Sequence, residues 1–265
     1  MPPLLKSVSI RNYPPSQEFP FNLPLIQNLG VVQFKKNITF FVGENGAGKS
    51  TLLEAIAAKM RLPAAGSESV DFDPSLEAAR FLGRFLSLGQ TIKTTHGFFS
   101  RAEDFIGFVK NIQRQIAELN REIEDIENTW QGGDITLALG PLKGEKQALI
   151  NRYGGDLDAM SHGEGFLKFF LSRITAKGVY LIDEPEAALS PQRQLSLISL
   201  IRQKAETQDC QFIIATHSPI IMAMPEADIL EFKEGQINPV SYRETEHYQI
   251  TKQFLDRPEA FLRGL

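Results

Sequence analysis

Apolar positions along the chain form short continuous runs separated by stretches with helical periodicity. The runs at 37–42, 179–183 and 211–215 are apolar and rich in β-branched or aromatic residues, which predicts buried strands. Another strand is predicted at Leu5–Ile10, and the apolar spacing of 52–59 predicts a helix soon after the first buried strand. This alternation of strands and helices is typical of an α/β domain.

A different pattern in the middle of the chain predicts one long amphipathic helix. Its apolar residues recur at alternating spacings of four and three, as in a heptad stripe: Phe105, Val109, Ile112, Ile116, Leu119, Ile123, Ile126 and Trp130. From Phe105 to Ile126 this helix extends roughly 32 Å, at about 1.5 Å per residue. The glycines at 132–133 end the pattern, and 145–152 predicts a shorter helix that packs back against it. The stripe either faces the protein core or binds a partner.

Composition and charge exclude several classes of protein. The 265 residues are 42% hydrophobic, enough for one or two domains with a closed apolar core. With 28 Lys+Arg and 32 Asp+Glu the net charge is −4, which disfavours a dedicated basic nucleic-acid binder but does not exclude a local basic patch. No apolar run approaches the roughly 18 residues that span a bilayer, and the first residues lack the pattern of a signal peptide. Cys210 is the only cysteine and cannot form an intramolecular disulfide.

The strongest chemical signal follows the strand at 37–42. Residues 43–51 match the phosphate-binding loop, a glycine followed by four residues and then Gly-Lys-Ser: Gly43, Glu44, Asn45, Gly46, Ala47, Gly48, Lys49, Ser50 and Thr51. Glycines let successive N–H groups face one anion, and the N-terminus of the next helix adds the positive end of its dipole. We expect Lys49 to reach the β- and γ-phosphates and Ser50 to place its hydroxyl on Mg²⁺.

Polar residues also end the two later buried strands. Asp183 and Glu184 close the first of them, and His217 follows the second. The carboxyl ends of parallel strands form the edge where open sheets bind ligands. There Asp183 fits a Mg²⁺ ligand, Glu184 a base that polarises an attacking water, and His217 a hydrogen-bonding partner of the γ-phosphate or that water. Taken alone, each has a plainer interpretation, because acids at strand ends often start turns and a lone histidine is more often structural.

A fourth signal lies between the long helix and these strands. Ser161 and Glu164 have the Ser-x-x-Glu spacing of a capping box and precede the apolar stretch 166–171, so a helix with exposed N–H groups is predicted to begin there. In isolation this segment is an ordinary helix cap. In the tail, His247 has no partner at metal-ligand spacing, so a structural role is the default.

The order of these motifs resembles that of ATP-binding-cassette ATPases over residues 31–235. It runs from the phosphate loop to Ser-x-Gly-Glu at a helix start, then strand–Asp-Glu-Pro and strand–Thr-His-Ser-Pro. The stretches 184–191 and 216–219 are most similar to the SMC-like, recombination-type branch of stand-alone ATPases. The resemblance implies two copies that face each other across two Mg²⁺-ATP.

The same resemblance implies roles for individual residues. Ser161, Gly163 and Glu164 would touch the ATP of the opposite copy, and 187–190 would form the dimer-crossing loop. Asp183 would serve Mg²⁺, Glu184 would be the base, and His217 would be the γ-phosphate switch.

Several positions depart from the transporter branch of that family or have more than one match. His162 and Glu164 replace a glycine and the glutamine of the transporter signature, and Ser190 replaces the usual aspartate of the dimer-crossing loop, which argues against a transporter cassette. For the glutamine that senses Mg²⁺, Gln90 is the best match, although polar residues of 97–103 compete with it. Two residues after the first strand, Arg11 and Tyr13, either stack on adenine or lie at the surface.

Together these patterns predict an α/β P-loop NTPase of the ATP-binding-cassette type, with a mixed β-sheet core and an inserted helical lobe. Residues 1–265 form a single ATPase domain, with a nucleotide-binding core at 1–90 and 165–240. The helical lobe occupies 91–164 and ends in the signature motif, and 241–265 form a tail with a final helix.

The expected activity is Mg²⁺-dependent binding and hydrolysis of ATP by a homodimer that encloses the nucleotide. We expect it to act on an unknown effector protein or nucleic acid, in DNA repair or defence, from the cytoplasm and without inserting into a membrane. The alternatives are an ATP-driven protein-partner switch that presents the heptad helix and, less favoured, the ATP-binding subunit of a membrane transporter.

Overall fold

A six-stranded mixed sheet forms the centre of the fold. The protein is described by a computed structural model over residues 2–12, 18–64, 76–153, 167 and 170–263. In spatial order the strands are β5 (Gly97–Arg101), β6 (Val179–Asp183), β7 (Gln211–Ala215), β3 (Ile38–Gly43), β8 (Asp228–Lys233) and β9 (Gln236–Pro239). The first five run parallel, and β9 is antiparallel to β8. The predicted α/β class with a mixed sheet is confirmed.

Parallel pairing brings the ends of the central strands to one edge of the sheet. Phe41 of β3 and Asp183 of β6 both lie opposite Ala215 of β7. Just beyond, the N–H of Glu184 donates to the carbonyl of Ala215 at 2.9 Å, and the N–H of Thr216 donates to the carbonyl of Phe41 at 3.1 Å. The residues that follow β3, β6 and β7 therefore meet at this edge, which we call the carboxyl edge.

Apolar layers cover both faces of the sheet because successive strand residues point to opposite sides. Phe41 belongs to the layer that includes α2 (Lys49–Met60) and α3 (Glu77–Phe85). Its neighbours Phe40 and Val42 belong to the opposite layer, which includes α6 (Pro191–Gln208). This burial on both faces explains why the central strands read as continuous apolar runs.

A smaller antiparallel sheet lies at the other end of β7. Its order is β2 (Val32–Gln33), β1 (Leu5–Ile10) and β4 (Leu86–Gln90). The side chain of Gln211, at the start of β7, accepts from the N–H of Leu5 at 2.7 Å and donates to its carbonyl at 2.9 Å. Gln211 is fully buried, and this pairing with β1 satisfies both the oxygen and the nitrogen of its amide. The small sheet is therefore joined at the amino end of β7, away from the carboxyl edge.

The predicted long helix is present as α4 (Ala102–Thr129), and it forms a hairpin with α5 (Ile135–Tyr153). Ile112 is buried in the apolar layer of α6, with Ile116 packed against that layer. Farther along, Leu119 and Ile123 are also buried. These positions favour a core-facing stripe. The side chains of Phe105 and Val109 lie outside the described part of the chain.

The observed elements differ from the predicted ones in two places. β5 lies inside the predicted helical lobe at 91–164, yet it pairs in parallel with β6 and belongs to the main sheet. Its five residues are too few to show a period distinct from the helix that follows, and this corrects the start of the lobe. The tail contains two helices, α8 (Glu246–Asp256) and α9 (Pro258–Leu262), where a single final helix is predicted. Short helices also occur at α1 (Pro24–Gln27) and α7 (Pro219–Met222).

Candidate functional site

The phosphate-binding loop connects β3 to α2, as its sequence predicts. Gly43 has φ +136°, and a Cβ there would meet the carbonyl oxygen of Phe232 at 2.3 Å. Gly48, the residue before the helix, has φ +93°, and its Cβ would meet Cδ2 of Leu25 at 2.6 Å. Both positions therefore require glycine. No side chain caps the first turn of α2, so its N–H groups are available to an anion.

Lys49 is buried under the loop, and the loop fixes its position. Its Nζ donates to the carbonyl of Gly43 at 2.7 Å and to that of Glu44 at 2.8 Å. An ammonium has three donors, so one remains for a ligand in the loop. Burial lowers the pKa of Lys49. The negative charges of Glu184, Asp183 and Glu186 act in the opposite direction and raise this pKa.

Two oxygen ligands suited to Mg²⁺ converge next to Lys49. The hydroxyl of Ser50 donates to Oδ1 of Asp183 at 3.2 Å, across 133 positions of sequence. Among the described residues no group of three or more His, Cys, Asp or Glu side chains is arranged to hold a metal. A hydroxyl and one carboxylate nevertheless fit Mg²⁺, which takes few protein ligands where phosphate oxygens supply the others. Burial raises the pKa of Asp183 to about 6, opposed by the Ser50 hydrogen bond and by the charges of Lys49 and Arg101.

Glu184 and His217 approach each other beside this pair. His217 Nε2 lies 3.5 Å from Glu184 Oε1. Glu184 has φ +47°, a left-handed conformation that costs about 1–2 kcal/mol outside glycine. The carboxylate of Glu184 is 45% exposed, whereas His217 is 26% exposed. Burial, followed by the charge of Lys49, lowers the pKa of His217, although Glu184 raises it.

Glu186 is part of the site and was missed by the sequence reasoning. Its carboxylate accepts from the hydroxyl of Thr216 at 2.8 Å and from the N–H of His217 at 2.5 Å. Burial raises the pKa of Glu186, while these hydrogen bonds lower it. Through these two hydrogen bonds Glu186 links the loop after β6 to the loop that contains His217. The sequence Glu184-Pro185-Glu186 contains two acidic residues and does not indicate which of the two side chains is buried in the site.

A second missed contact involves His247, for which a structural role is the default expectation. Nε2 of His247 lies 2.8 Å from Nδ1 of His217, so the two rings are joined by a hydrogen bond. Nothing in the sequence links these histidines, since they are separated by 30 positions and lie on different elements.

The structure does not bring Gln90 to the carboxyl edge. Gln90 ends β4 and pairs with Leu5, whose main chain is bonded to Gln211 at the opposite end of β7. This corrects the expectation that Gln90 is the Mg²⁺-sensing glutamine and a Mg²⁺ ligand. Because β4 runs antiparallel to β1, Gln90 lies beside Leu5 near the amino end of β7, away from the carboxyl edge. The competing segment does reach the edge, with Arg101 of β5 directly opposite Asp183.

Five predicted site residues lie outside the described part of the chain. They are the signature residues Ser161, His162, Gly163 and Glu164 and the adenine candidate Tyr13. Arg11 is exposed, and its N–H donates to the carbonyl of Phe85 at 3.0 Å.

Comparison with protein families identifies the chain. Residues 61–223, more than half of the sequence, match the family described as "AAA domain, putative AbiEii toxin, Type IV TA system". The chain belongs to this AAA-domain family. Residues 16–59 match a second family, described as "AAA domain". The two matches cover the phosphate loop, Asp183 and His217, and the predicted P-loop ATPase family is confirmed.

Named relatives of this AAA-domain chain are ATP-binding proteins. It is 30% identical over 207 residues to the hemin import ATP-binding protein HmuV of Rhodopseudomonas palustris (strain BisB5), covering 74% of this chain and 70% of the relative. It is 26% identical over 266 residues to the nisin transport ATP-binding protein NisT of Lactococcus lactis subsp. lactis, covering 93% of this chain and 40% of the relative. The chain spans 40% and 46% of the first two curated relatives it matches.

A solved structure has the same fold. The Smc head domain of Pyrococcus furiosus, which has an extended coiled coil and is bound to the C-terminal domain of ScpA, matches with a TM-score of 0.51 at 13% identity. The match covers 98% of this chain and 100% of that one. Within the described residues, no helix of the AAA-domain chain has both the length and the apolar character needed to cross a membrane.

Proposed function

We propose that this chain binds Mg²⁺-ATP at the carboxyl edge and hydrolyses it. The observation that carries the proposal is the 3.2 Å contact between Ser50 Oγ and Asp183 Oδ1, directly beside the buried ammonium of Lys49. Two oxygen ligands and one cation, held by elements far apart in sequence, match what the triphosphate and its metal require.

The residues around this contact have complementary roles in the proposed reaction. Lys49 directs its remaining N–H to the β- and γ-phosphates. Ser50 and Asp183 would hold Mg²⁺, which would neutralise charge on the phosphate oxygens. The carboxylate of Glu184 takes a proton from water as the water oxygen bonds to the γ-phosphorus and the bond to the ADP oxygen breaks. His217 donates from Nε2 to an oxygen of the γ-phosphate.

The proposed active form contains two copies of the chain. In this arrangement Ser161, Gly163 and Glu164 of each copy reach the ATP bound by the other copy. The loop at 187–190, which would lie between the copies, is linked to the His217 loop: Gln194 donates to the carbonyl of Leu189 at 3.2 Å and accepts from the hydroxyl of Ser218 at 2.5 Å.

A direct test compares Lys49→Ala with Lys59→Ala. Both lysines are on α2, but Lys59 is exposed in its last turn. We expect Lys49→Ala to weaken ATP binding by about 100-fold or more in titration calorimetry, since it removes the buried cation. Lys59→Ala should bind like the unmodified chain. Equal ATP affinity for all three proteins would refute the phosphate-loop assignment.

For the cellular role, we propose an ATPase that acts in defence through a nucleic acid or an effector protein. The family description, which names a toxin of a Type IV TA system, supports defence. The protein-partner switch loses its main support, because Ile112, Leu119 and Ile123 of the heptad stripe are buried. Stimulation of ATP turnover by DNA, lost at high salt, would select a nucleic-acid partner.

A transporter subunit is the second candidate function. It is favoured by the names of the ATP-binding relatives in hemin import and nisin transport. It is opposed by His162 and Ser190, which depart from the transporter pattern. Co-purification of a membrane protein with the tagged chain would select this candidate, and co-purification of a non-membrane effector would select an effector partner instead.

A further inference from the structure

The contact between His217 and His247 joins the proposed nucleotide site to the tail of the chain. The ring centroids are 5.0 Å apart and the rings are tilted by 57°. Nδ1 of His217 lies 2.8 Å from Nε2 of His247, which is hydrogen-bond distance. His247 is the second residue of α8, which begins after Thr245.

The start of α8 is held firmly against the segment that follows His217. The hydroxyl of Tyr242 donates to the carbonyl of Pro219 at 2.9 Å. The hydroxyl of Thr245, which is fully buried, lies 3.5 Å from the sulfur of Met222 and caps α8 by accepting from the N–H of Tyr248. The position of His247 is therefore set by packing on the same loop that carries His217.

The surroundings of His217 decide which of its nitrogens bears the proton. Nε2 has no hydrogen-bond partner among the described residues, and the acceptor near it is Glu184 Oε1 at 3.5 Å. A carboxylate and a phosphate only accept, so Nε2 must carry hydrogen to face either of them favourably. Nδ1 of a neutral His217 is then an acceptor, and the hydrogen in the bond belongs to Nε2 of His247.

Both histidines are in surroundings that favour the neutral ring. Burial is the largest cause that lowers the pKa of each, and the charge of Lys49 adds to it. For His247 the nearby acids Glu246, Glu231 and Glu44 act in the opposite direction. A neutral pair can share only one hydrogen between the rings, so the direction of this bond fixes the tautomer of His217.

We propose that His247 is a positioning residue, which donates from Nε2 to Nδ1 of His217 and holds His217 in the Nε2–H tautomer, aimed at the γ-phosphate. The inference rests on the proposed function and deepens it, since it makes α8 a part of the nucleotide site. Any partner that displaces α8 would then free His217 to adopt the other tautomer, with its Nε2 lone pair facing the phosphate.

The test uses the full chain with three changes at one position. His247→Gln keeps an N–H donor near the place of Nε2, His247→Phe keeps the ring without a donor, and His247→Ala removes both. Gln253→Ala, at an exposed position on the same helix, is the control. Nitrogen-15 spectra of histidine-labelled protein report the tautomer without nucleotide, and His217→Asn identifies the signals among only four histidines. Steady-state kinetics report kcat and KM for ATP.

We expect the unmodified chain, His247→Gln and Gln253→Ala to show His217 as the Nε2–H tautomer with similar kcat. His247→Phe and His247→Ala should show mixed tautomers and a kcat lower by about 10-fold, with KM little changed, because a supporting hydrogen bond is lost. An unchanged tautomer in His247→Ala and His247→Phe would overturn the inference, as would a kcat in His247→Gln as low as that in His247→Phe. Absence of ATP hydrolysis in the unmodified chain would instead defeat the proposed function, while the spectra still decide the tautomer.

Discussion

The carboxyl edge and the α4–α5 hairpin are built on opposite principles. At the edge, buried polar groups meet from distant elements, as in the contact of Ser50 with Asp183. In the hairpin, apolar side chains such as Leu119 and Leu139 are buried, and the polar contact between Lys143 and Glu127 lies at the surface. At the edge, Ser50, Asp183 and Glu186 each have a specific hydrogen-bond partner, whereas the hairpin is stabilised mainly by its apolar stripe.

This difference separates stability from chemistry. Burial of a carboxylate costs free energy unless a cation or a hydrogen-bond donor compensates. The buried carboxylate of Asp183 therefore destabilises the unliganded fold, and a bound metal ion would compensate its charge. Apolar burial in the hairpin stabilises the fold without providing reactive groups. Substitutions in the two regions should therefore change stability and turnover in different combinations.

Among the variants that compare the edge with the hairpin, Asp183→Asn has the largest expected effect and should alter turnover and stability in opposite directions. Without the carboxylate, Mg²⁺-dependent hydrolysis should fall by about 100-fold or more. The pKa of Asp183 is raised from 3.8 to about 6, so the folded chain binds this proton more tightly than the unfolded chain. Stability therefore falls as pH rises between these values, and above both the charge costs roughly 3 kcal/mol.

Urea unfolding in metal-free buffer checks the stability effect of Asp183→Asn. Since asparagine is neutral and still accepts from Ser50, the variant should be more stable by about 1–3 kcal/mol at roughly pH 8, and the gain should vanish near pH 3. A variant that is less stable at the higher pH would show that the buried carboxylate is already compensated in the unliganded chain.

The edge was largely predictable from sequence because its motifs combine strand and loop signals. Lys49, Ser50, Asp183 and His217 follow buried strands, and parallel pairing brings such ends together. Glu186, Arg101 and His247 were not predictable, since their contacts depend on loop direction, on strand register and on the packing of a tail helix. No pattern local to those residues contains that information.

A smaller effect is expected in the hairpin from Leu119→Ala. Leu119 is 8% exposed, so truncation should lower the free energy of unfolding by about 2–4 kcal/mol through lost burial and a cavity. Affinity for ATP should be unchanged. Leu137→Ala is the matched control, because Leu137 is 81% exposed on α5 and its loss should change stability by no more than about 0.5 kcal/mol. Similar losses for both leucines would contradict the assigned packing.

The smallest effect is expected from Lys143→Ala. The ion pair of Lys143 with Glu127 measures 2.9 Å, but both side chains are about half exposed, so solvent screens it. The free energy of unfolding should fall by less than about 1 kcal/mol, and this difference should become smaller in high salt. A larger, salt-independent loss in urea titrations would mean that polar contacts matter as much in the hairpin as at the edge.

The sequence pattern located the main elements well where they are long or fully apolar. The apolar pattern correctly predicts the strand at Leu5–Ile10 and the long helix α4. Strand β5 and the position of Gln90 were not foreseen, because five residues carry little periodic signal and because β4 pairs with β1 instead of the main sheet. The position of a short strand in a sheet is determined by the strands with which it pairs, and these are distant in sequence.

The central claim is that the carboxyl edge hydrolyses Mg²⁺-ATP, and the turnover of Glu184→Gln tests it most directly. Glu184→Gln keeps the size of the side chain but removes the base, so phosphate release should fall by about 100- to 10,000-fold while ATP still binds in calorimetry. Glu206→Gln, an exposed position on α6, should retain full turnover. Turnover in Glu184→Gln equal to that of the unmodified chain would contradict the account.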